Sequence, residues 1–158
     1  MNNKKVIASA IFSAAGLILL AIHEGFSPTP YIDTGGVITN GFGNANRDAH
    51  KTVTVVQALE DLKINASSAG QAVSKCVLTT MTQNQYDAYV SFAYNIGNRA
   101  FCNSTMVRKA NAGDAVGSCN EFKRWQFVAG KDCRIASSNC SGIVKRRKAE
   151  LALCLHGL

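Results

Sequence analysis

The first 75 residues contain no cysteine, and the whole chain of 158 residues has one tryptophan and two prolines. Each scarcity closes a route. With no thiol before Cys76, a redox switch cannot reside in the N-terminal segment. Trp125 stands alone, and no stripe alternates Lys or Arg with aromatics, so there is no stacking platform for nucleic acid and no such partner is expected. No Cys-x-x-Cys pair occurs, and no His lies at zinc-finger spacing from two cysteines, so there is no zinc motif and no metal is expected. Repeats and low-complexity tracts are missing too, and the length fits one domain with room for a real core. Acidic residues are outnumbered ten to seventeen by Lys and Arg, for a formal charge of +7. A basic surface of this kind seeks a polyanion, either anionic lipid or cell wall.

Six cysteines, Cys76, Cys102, Cys119, Cys133, Cys140 and Cys154, all fall in the later part of the chain. Their even number fits an oxidising compartment and up to three structural disulfides. Cys133 and Cys140 are close enough in sequence to staple one loop; the other partners stay open. At the opposite end, Lys4 and Lys5 precede seventeen uncharged residues, Val6 to Ile22. That is the short end of the ~17–25 residues that span a bilayer. Eight of them are Ala, Ser or Gly, so the run is only weakly apolar. A positive flank stays cytoplasmic, which puts the remainder outside the membrane and agrees with the cysteines. No small-x-small cleavage site follows the run. The pattern fits a temporary anchor, apolar enough to insert and weak enough to leave. The expected division is an anchor over 1–22 and a folded domain over 23–158.

Local signals along the domain are mostly helical. Ser27-Pro28-Thr29-Pro30 reads as a break, because proline removes donors and restrains its predecessor. Tyr31 to Gly43 alternates and is punctuated by Gly35-Gly36 and Gly41-x-Gly43, as in a small hairpin or three-stranded sheet. Asn44 to Lys51 reads as a polar loop. Thr54 and Thr82 each open a capping box. The first starts a helix with Val56, Leu59 and Leu62 inward. The second starts one burying Tyr86, Tyr89, Val90, Ala93 and Ile96 and stopping at Gly97. Asp114 caps a helix carrying Val116, Cys119, Phe122 and Trp125. Gly130 to Ser141 is a polar loop. A last helix runs from about Gly142 to Leu155 with Val144, Leu151 and Leu155 on one face, ended by Gly157. The expected fold class is α+β, mostly helical, with one small N-terminal sheet.

Two carboxylates and a hydroxyl flank the Pro-containing break: Glu24, Asp33 and Thr39. Cleaving a glycosidic bond with water needs one carboxyl that donates a proton to the leaving oxygen and a second, ionised, on the opposite face. Glu24 follows the apolar run by two residues and ends an apolar helix, where surroundings that raise its pKa would keep it an acid. Asp33 lies on a Gly-rich turn open to water and is expected to stay charged. Thr39, six residues on along a hairpin, is expected to help hold the attacking water. His23 adjoins the acid. Asn95 is a candidate for the cleft wall. Arg146 and Arg147 are expected on a solvated helix face, with contacts to wall carboxylates or a pairing with Glu24 or Asp33 as alternatives.

These residues resemble a family. Glu24-Gly25 with Tyr31-x-Asp33-x-x-Gly36-x-x-Thr39-x-Gly41-x-Gly43 is similar to the active-site segment of the phage-type lysozymes, glycoside hydrolase family 24. Thr82-Gln83-Asn84-Gln85-Tyr86-Asp87-Ala88 and Ser91-Phe92-Ala93-Tyr94-Asn95-Ile96-Gly97 resemble its central helix. Arg124-Trp125, Ala129-Gly130-Lys131 and the stretch from Gly142 to Glu150 resemble its C-terminal part. The N-terminal segment further resembles the signal-arrest-release endolysins. The resemblance implies a lysozyme-like fold with a small β lobe, a larger helical lobe and a cleft between them. It implies a muramidase that hydrolyses the β-1,4 bond between N-acetylmuramic acid and N-acetylglucosamine in peptidoglycan and lyses the host. Glu24 matches the general acid, Asp33 the residue that works with water and Thr39 its helper, in an inverting reaction. Asn95 and Arg146 are carried as substrate-binding candidates. No cofactor is implied. The expected partners are peptidoglycan strands and, through residues 6–22, the host inner membrane, N-terminus inside, before release of a monomer into the periplasm. Asn44 departs from the pattern, standing where His is common; it reads as structural drift. The competing classes are a lytic transglycosylase, which leaves Asp33 and Thr39 unexplained, a membrane-tethered wall-binding protein without activity, and a chitinase.

Overall fold

The computed structural model describes residues 11–33, 36–45 and 47–156. The expectations on Lys4, Lys5, the start of the apolar run, Thr34, Gly35 and Gly157 lie outside the described residues. Helix α1 (Ala14–Glu24) is followed by the hairpin β1 (Ser27–Ile32) and β2 (Ile38–Gly41). Then come α2 (Val55–Cys76), α3 (Gln83–Ile96), α4 (Asn98–Cys102), α5 (Thr105–Asn111) and α6 (Ala115–Asn120). A second, minimal hairpin, β3 (Phe127–Val128) with β4 (Lys131–Asp132), leads to the last helix, α7 (Ser141–Leu155). The mostly helical α+β reading holds.

Helix α3 is the hub, packed by α1, α2 and α7. Both capping boxes form: Thr54 accepts from Gln57 N and Thr82 from Gln85 N, with the glutamine side chains reaching back. Tyr86, Tyr89, Val90 and Ala93 are buried as expected, and Gly97 ends α3 at φ +90°. Phe92 anchors an aromatic cluster, edge-on to Phe101, Phe122 and Trp125 at centroid distances of 6.3, 5.1 and 5.2 Å. Asp114 caps α6 through Gly117 N, but the helix stops at Asn120 and tightens into a 3-10 turn, Glu121–Arg124. Phe122 is buried there, while Val116 is 55% exposed.

Several expectations are corrected. The prolines do not break the strand; Pro28 and Pro30 lie within β1. Ladder pairing is irregular between Ser27 and Tyr31, where residues without an N–H are tolerated. Val56 points out at 67% exposure, because the buried face of α2 is formed by its small residues Ala58, Ala66 and Ala69 with Leu62 and Val73. The segment after β2 is not simply loop. Asn44 is buried and bridges to Asn40 through both backbone groups, at 2.9 and 3.0 Å. Its side chain donates to Asp61 on α2 at 3.3 Å. Asn44 therefore fastens the hairpin to the helical body. The Gly130 to Ser141 stretch contains β4 and a 3-10 turn, Ala136–Ser138.

The disulfide pattern left open by the sequence is Cys76–Cys102, Cys119–Cys154 and Cys133–Cys140, at Cα separations of 5.5, 5.7 and 4.9 Å. The first ties α2 to α4, the second α6 to α7, and the third staples the loop entering α7. Helix α1 crosses the expected division at residue 22 and runs unbroken to Glu24. Leu20 and Ala21 enter the core, whereas Ile11, Ile18 and Ile22 face out at 74, 58 and 71% exposure. Among the described residues no helix is long and apolar enough to cross a membrane.

Candidate active site

Glu24 is the last residue of α1, released from the helix by Gly25 at φ +73°. Only a residue tolerant of the left-handed region turns the chain there without strain. The Glu24 side chain is 22% exposed and faces a cleft of about 460 Å³, lined by His23, Asn95, Asn139, Ile143, Lys145 and Arg146 among others. Its Oε1 accepts from Arg146 at 2.8 Å. Its Oε2 lies on the other side, 4.0 Å from where a Cβ on Gly43 would stand. Gly43, at φ +76°, brings the end of the first hairpin against the carboxyl without a side chain in the way.

The expectation of a solvated charge run on α7 is overturned. Arg146 and Arg147 are 4 and 2% exposed, and Glu150, one turn on, is fully buried. Arg146 spends all three nitrogens: on Glu24, on Glu150 Oε1 at 3.1 Å and on the Ser91 carbonyl at 3.0 Å. Arg147 pairs with Glu150 Oε2 and Asn95 Oδ1 and donates to the Trp125 carbonyl at 3.1 Å. Its guanidinium lies 4.7 Å from the Phe92 ring centroid. Ser91 Oγ completes the cluster on Glu150 at 2.7 Å. Buried charges persist only when paired and hydrogen-bonded, and here every one is. For Arg146, the alternative of pairing with Glu24 forms.

Glu150 and Ser91 were not singled out from the sequence. The signal was present: Glu150 follows Arg146 by four residues and Arg147 by three, the spacings that meet on a helix. What hid it was the assumption that a charge run faces water. Asn95 does line the cleft, with its carbonyl oxygen turned back onto Arg147.

Asp33 and Thr39 sit on the hairpin, and neither is among the described residues lining this cleft. Asp33 follows β1 and shapes the turn: its N donates to Val37 O at 2.9 Å and its Oδ1 accepts from Val37 N at 2.8 Å. Thr39 pairs across the hairpin with Tyr31 and is 3% exposed. Its hydroxyl reaches the Tyr31 carbonyl at 3.5 Å, a weak contact. The hairpin therefore offers a carboxyl held by its own turn, next to a strand that leads to Gly43 beside Glu24.

Burial, and after it the Arg146 cation, depress the His23 pKa below its ordinary value. His23 Nε2 is a buried atom with no hydrogen-bond partner. Burial, then the Glu24 charge, raises the Tyr94 phenol. Burial is likewise the main cause lowering Arg147, opposed by Glu150. Among the described residues no group of His, Cys, Asp and Glu could hold a metal ion.

A helical body with a two-stranded flap, a carboxyl at a helix end and an arginine behind it define a lysozyme-type glycoside hydrolase. Residues 21–150 match the phage lysozyme family, and the chain belongs to it. An endolysin of Acyrthosiphon pisum secondary endosymbiont phage 1 is 35% identical over 144 residues, covering 89% of this chain and 95% of that one. A SAR-endolysin of Bacteriophage PS119 is 30% identical over 136 residues, covering 85% and 77%. Among solved structures, an endolysin from Escherichia coli O157:H7 phage FAHEc1 superposes with a TM-score of 0.80 at 31% identity, covering 93% of this chain and 94% of that one. The protein is thus an enzyme of the cell-wall-lytic lysozyme class, with the lysozyme-like fold expected from the sequence.

Proposed function

We propose that the protein is an endolysin that hydrolyses the β-1,4 bond between N-acetylmuramic acid and N-acetylglucosamine, with Glu24 as general acid and Asp33, helped by Thr39, activating water. The observation that carries this is the Glu24–Arg146 pair at the cleft, 2.8 Å between Oε1 and a guanidinium nitrogen. The pair fixes one oxygen and leaves Oε2 directed toward the hairpin side, where a glycosidic oxygen receives its proton. Asp33 follows β1 on the adjoining hairpin, its carboxyl accepting from Val37 N. An inverting reaction leaves room for a water between the two carboxyls, typically about 6.5–9.5 Å apart. Thr39, buried on β2, acts as a wall that restricts that water. Arg146 is a positioning residue for the acid; its own nitrogens are already engaged. The net charge of +7 suits an anionic wall.

Export and control follow from the same helix. The run Val6 to Ile22 inserts in the inner membrane with the N-terminus inside, and the domain matures its disulfides outside. The resemblance to a protein named a SAR-endolysin supports this. While the run is in lipid, Glu24 is held at the bilayer surface, away from Arg146. When the membrane potential collapses, the run leaves and α1 packs as described here, delivering a periplasmic monomer.

The test is turbidity clearing of purified peptidoglycan by wild type, Glu24→Gln and Asp33→Asn. Losing a general acid typically costs 10²- to 10⁴-fold, so Glu24→Gln falls by about that much while still binding wall. Full lysis by Glu24→Gln would leave a binding protein, not a hydrolase. A 1,6-anhydro end on the products, seen by mass spectrometry, would replace hydrolysis by lytic transglycosylation.

A further inference from the structure

Asp87 is fully buried in α3, and nothing in the chemistry above uses it. A buried carboxyl must find hydrogen-bond donors. It finds them largely on α1. Ser13 N donates to Asp87 Oδ1 at 3.0 Å, and the Ser13 hydroxyl donates to Oδ2. Gln83, one turn earlier on α3, donates to Asp87 Oδ1 at 2.9 Å and to the Ile11 carbonyl at 3.1 Å. The Ser13 hydroxyl also accepts from Gly16 N at 3.2 Å, capping α1. Gly16 completes the fit: a Cβ there would stand 2.8 Å from both Cβ and Cγ of Asp87 and 2.6 Å from the Phe12 ring. Thr54 and Thr82 close their caps within their own helices. Ser13 instead donates its hydroxyl hydrogen bond to another helix.

We propose that Asp87 and Gln83 form a receptor for the first turn of α1, and that closing this clasp commits Glu24 to the cleft. The inference rests on the reading that Glu24 is the acid and that the run Val6 to Ile22 spends time in lipid. Ser13 and Gly16 lie near the middle of that run. They are among the residues that make it a poor membrane span, because a hydroxyl and a missing side chain both reduce its hydrophobicity. They are also the residues Asp87 requires. The features that weaken the segment in one environment are the ones that fit it to the body in the other. Helix α1 is then held at both ends, by Asp87 at Ser13 and by Arg146 at Glu24. At 1.5 Å per residue its 11 residues form a strut roughly 16 Å long, so a shift at one end is carried to the other.

Hydrogen–deuterium exchange on the purified full-length chain tests this without relying on catalysis. Asp87→Ala is expected to speed exchange of the α1 amides on the order of tenfold, leaving α2 and α5 amides unchanged, with wall lysis falling in parallel. Gly16→Ala is the sharper variant. Replacing a helical glycine by alanine ordinarily stabilises the helix; here the methyl strikes Asp87, so α1 exchange also rises. Wild-type exchange in α1 for either folded variant, slower exchange in Gly16→Ala, or an equal rise in every helix overturns the clasp. Should Asp87→Ala not fold, Gly16→Ala decides alone by the same outcomes. If α1 loosens selectively while Glu24→Gln still lyses walls, the clasp stands and the catalytic reading falls.

Discussion

Helices α1 and α7 invert the usual relation between hydropathy and burial. The stretch that is apolar in sequence exposes Ile11, Ile18 and Ile22, whereas the charged stretch buries Arg146, Arg147 and Glu150. Burial on α7 follows pairing: three charges share one anion, one serine, one asparagine and two carbonyls. Exposure on α1 fits the proposal that this segment meets two solvents. Only Gly16, Leu20 and Ala21 are buried within this helix. Its outward isoleucines bury little surface in the folded state, and the residence in lipid proposed above would account for them.

The comparison breaks hardest at Glu150. Glu150→Ala strands two buried guanidinium groups, and removing one partner of a buried ion pair typically costs about 3–5 kcal/mol. Thermal melting should show a loss of that size, and activity should fall because Arg146 no longer has its second anchor. A melting point near wild type would mean that the cluster is solvated after all. A smaller effect is expected at His23 on α1, which feels Arg146, Arg147 and Glu150 of α7. Its folded pKa is lowered from 6.5, so folding favours the neutral ring. The associated stability is present above that value and is lost as pH falls below it. Denaturation midpoints from pH 8 to 5 should decline in wild type, with a shallower slope in His23→Gln; parallel slopes would remove His23 from the balance. The smallest effect belongs to α1. Ile18→Ser with Ile22→Ser should shift stability in water by under about 1 kcal/mol, since surface changes are usually within ~0.5 kcal/mol each. The same pair should markedly reduce membrane retention of the exported chain, measured by fractionation. A large loss of stability in water would give these side chains a core role instead.

The sequence was most legible where a local rule had no competitor. The boxes at Thr54 and Thr82, the stop at Gly97 and the Asp114 cap depend on neighbours three or four residues away, and all appear. The place of Glu24 at a helix end, beside a Gly turn and a Gly-punctuated hairpin, was legible too. Helices α4 and α5, at five and seven residues, were not read: segments so short carry too few turns for periodicity to register. The strand through Pro28 and Pro30 was missed because a local donor rule was applied where an edge irregularity relaxes it. Glu150 was missed although its arginines are three and four residues away, because a charge run was taken to face water. Ser91 and Asp87 were missed for another reason: each is polar and buried, and packing brings it a partner from a segment distant in sequence.

All three covalent cross-links lie from Cys76 onward, and none reaches α1, β1 or β2. The enzyme is thus half riveted and half merely seated. Its welded portion supplies Arg146 and Glu150, while Glu24, Asp33 and Thr39 ride on the seated portion. Gentle warming or mild chaotrope should therefore silence the molecule well before its scaffold melts, and cooling should bring it back, because the scaffold keeps the mould into which the loose portion returns.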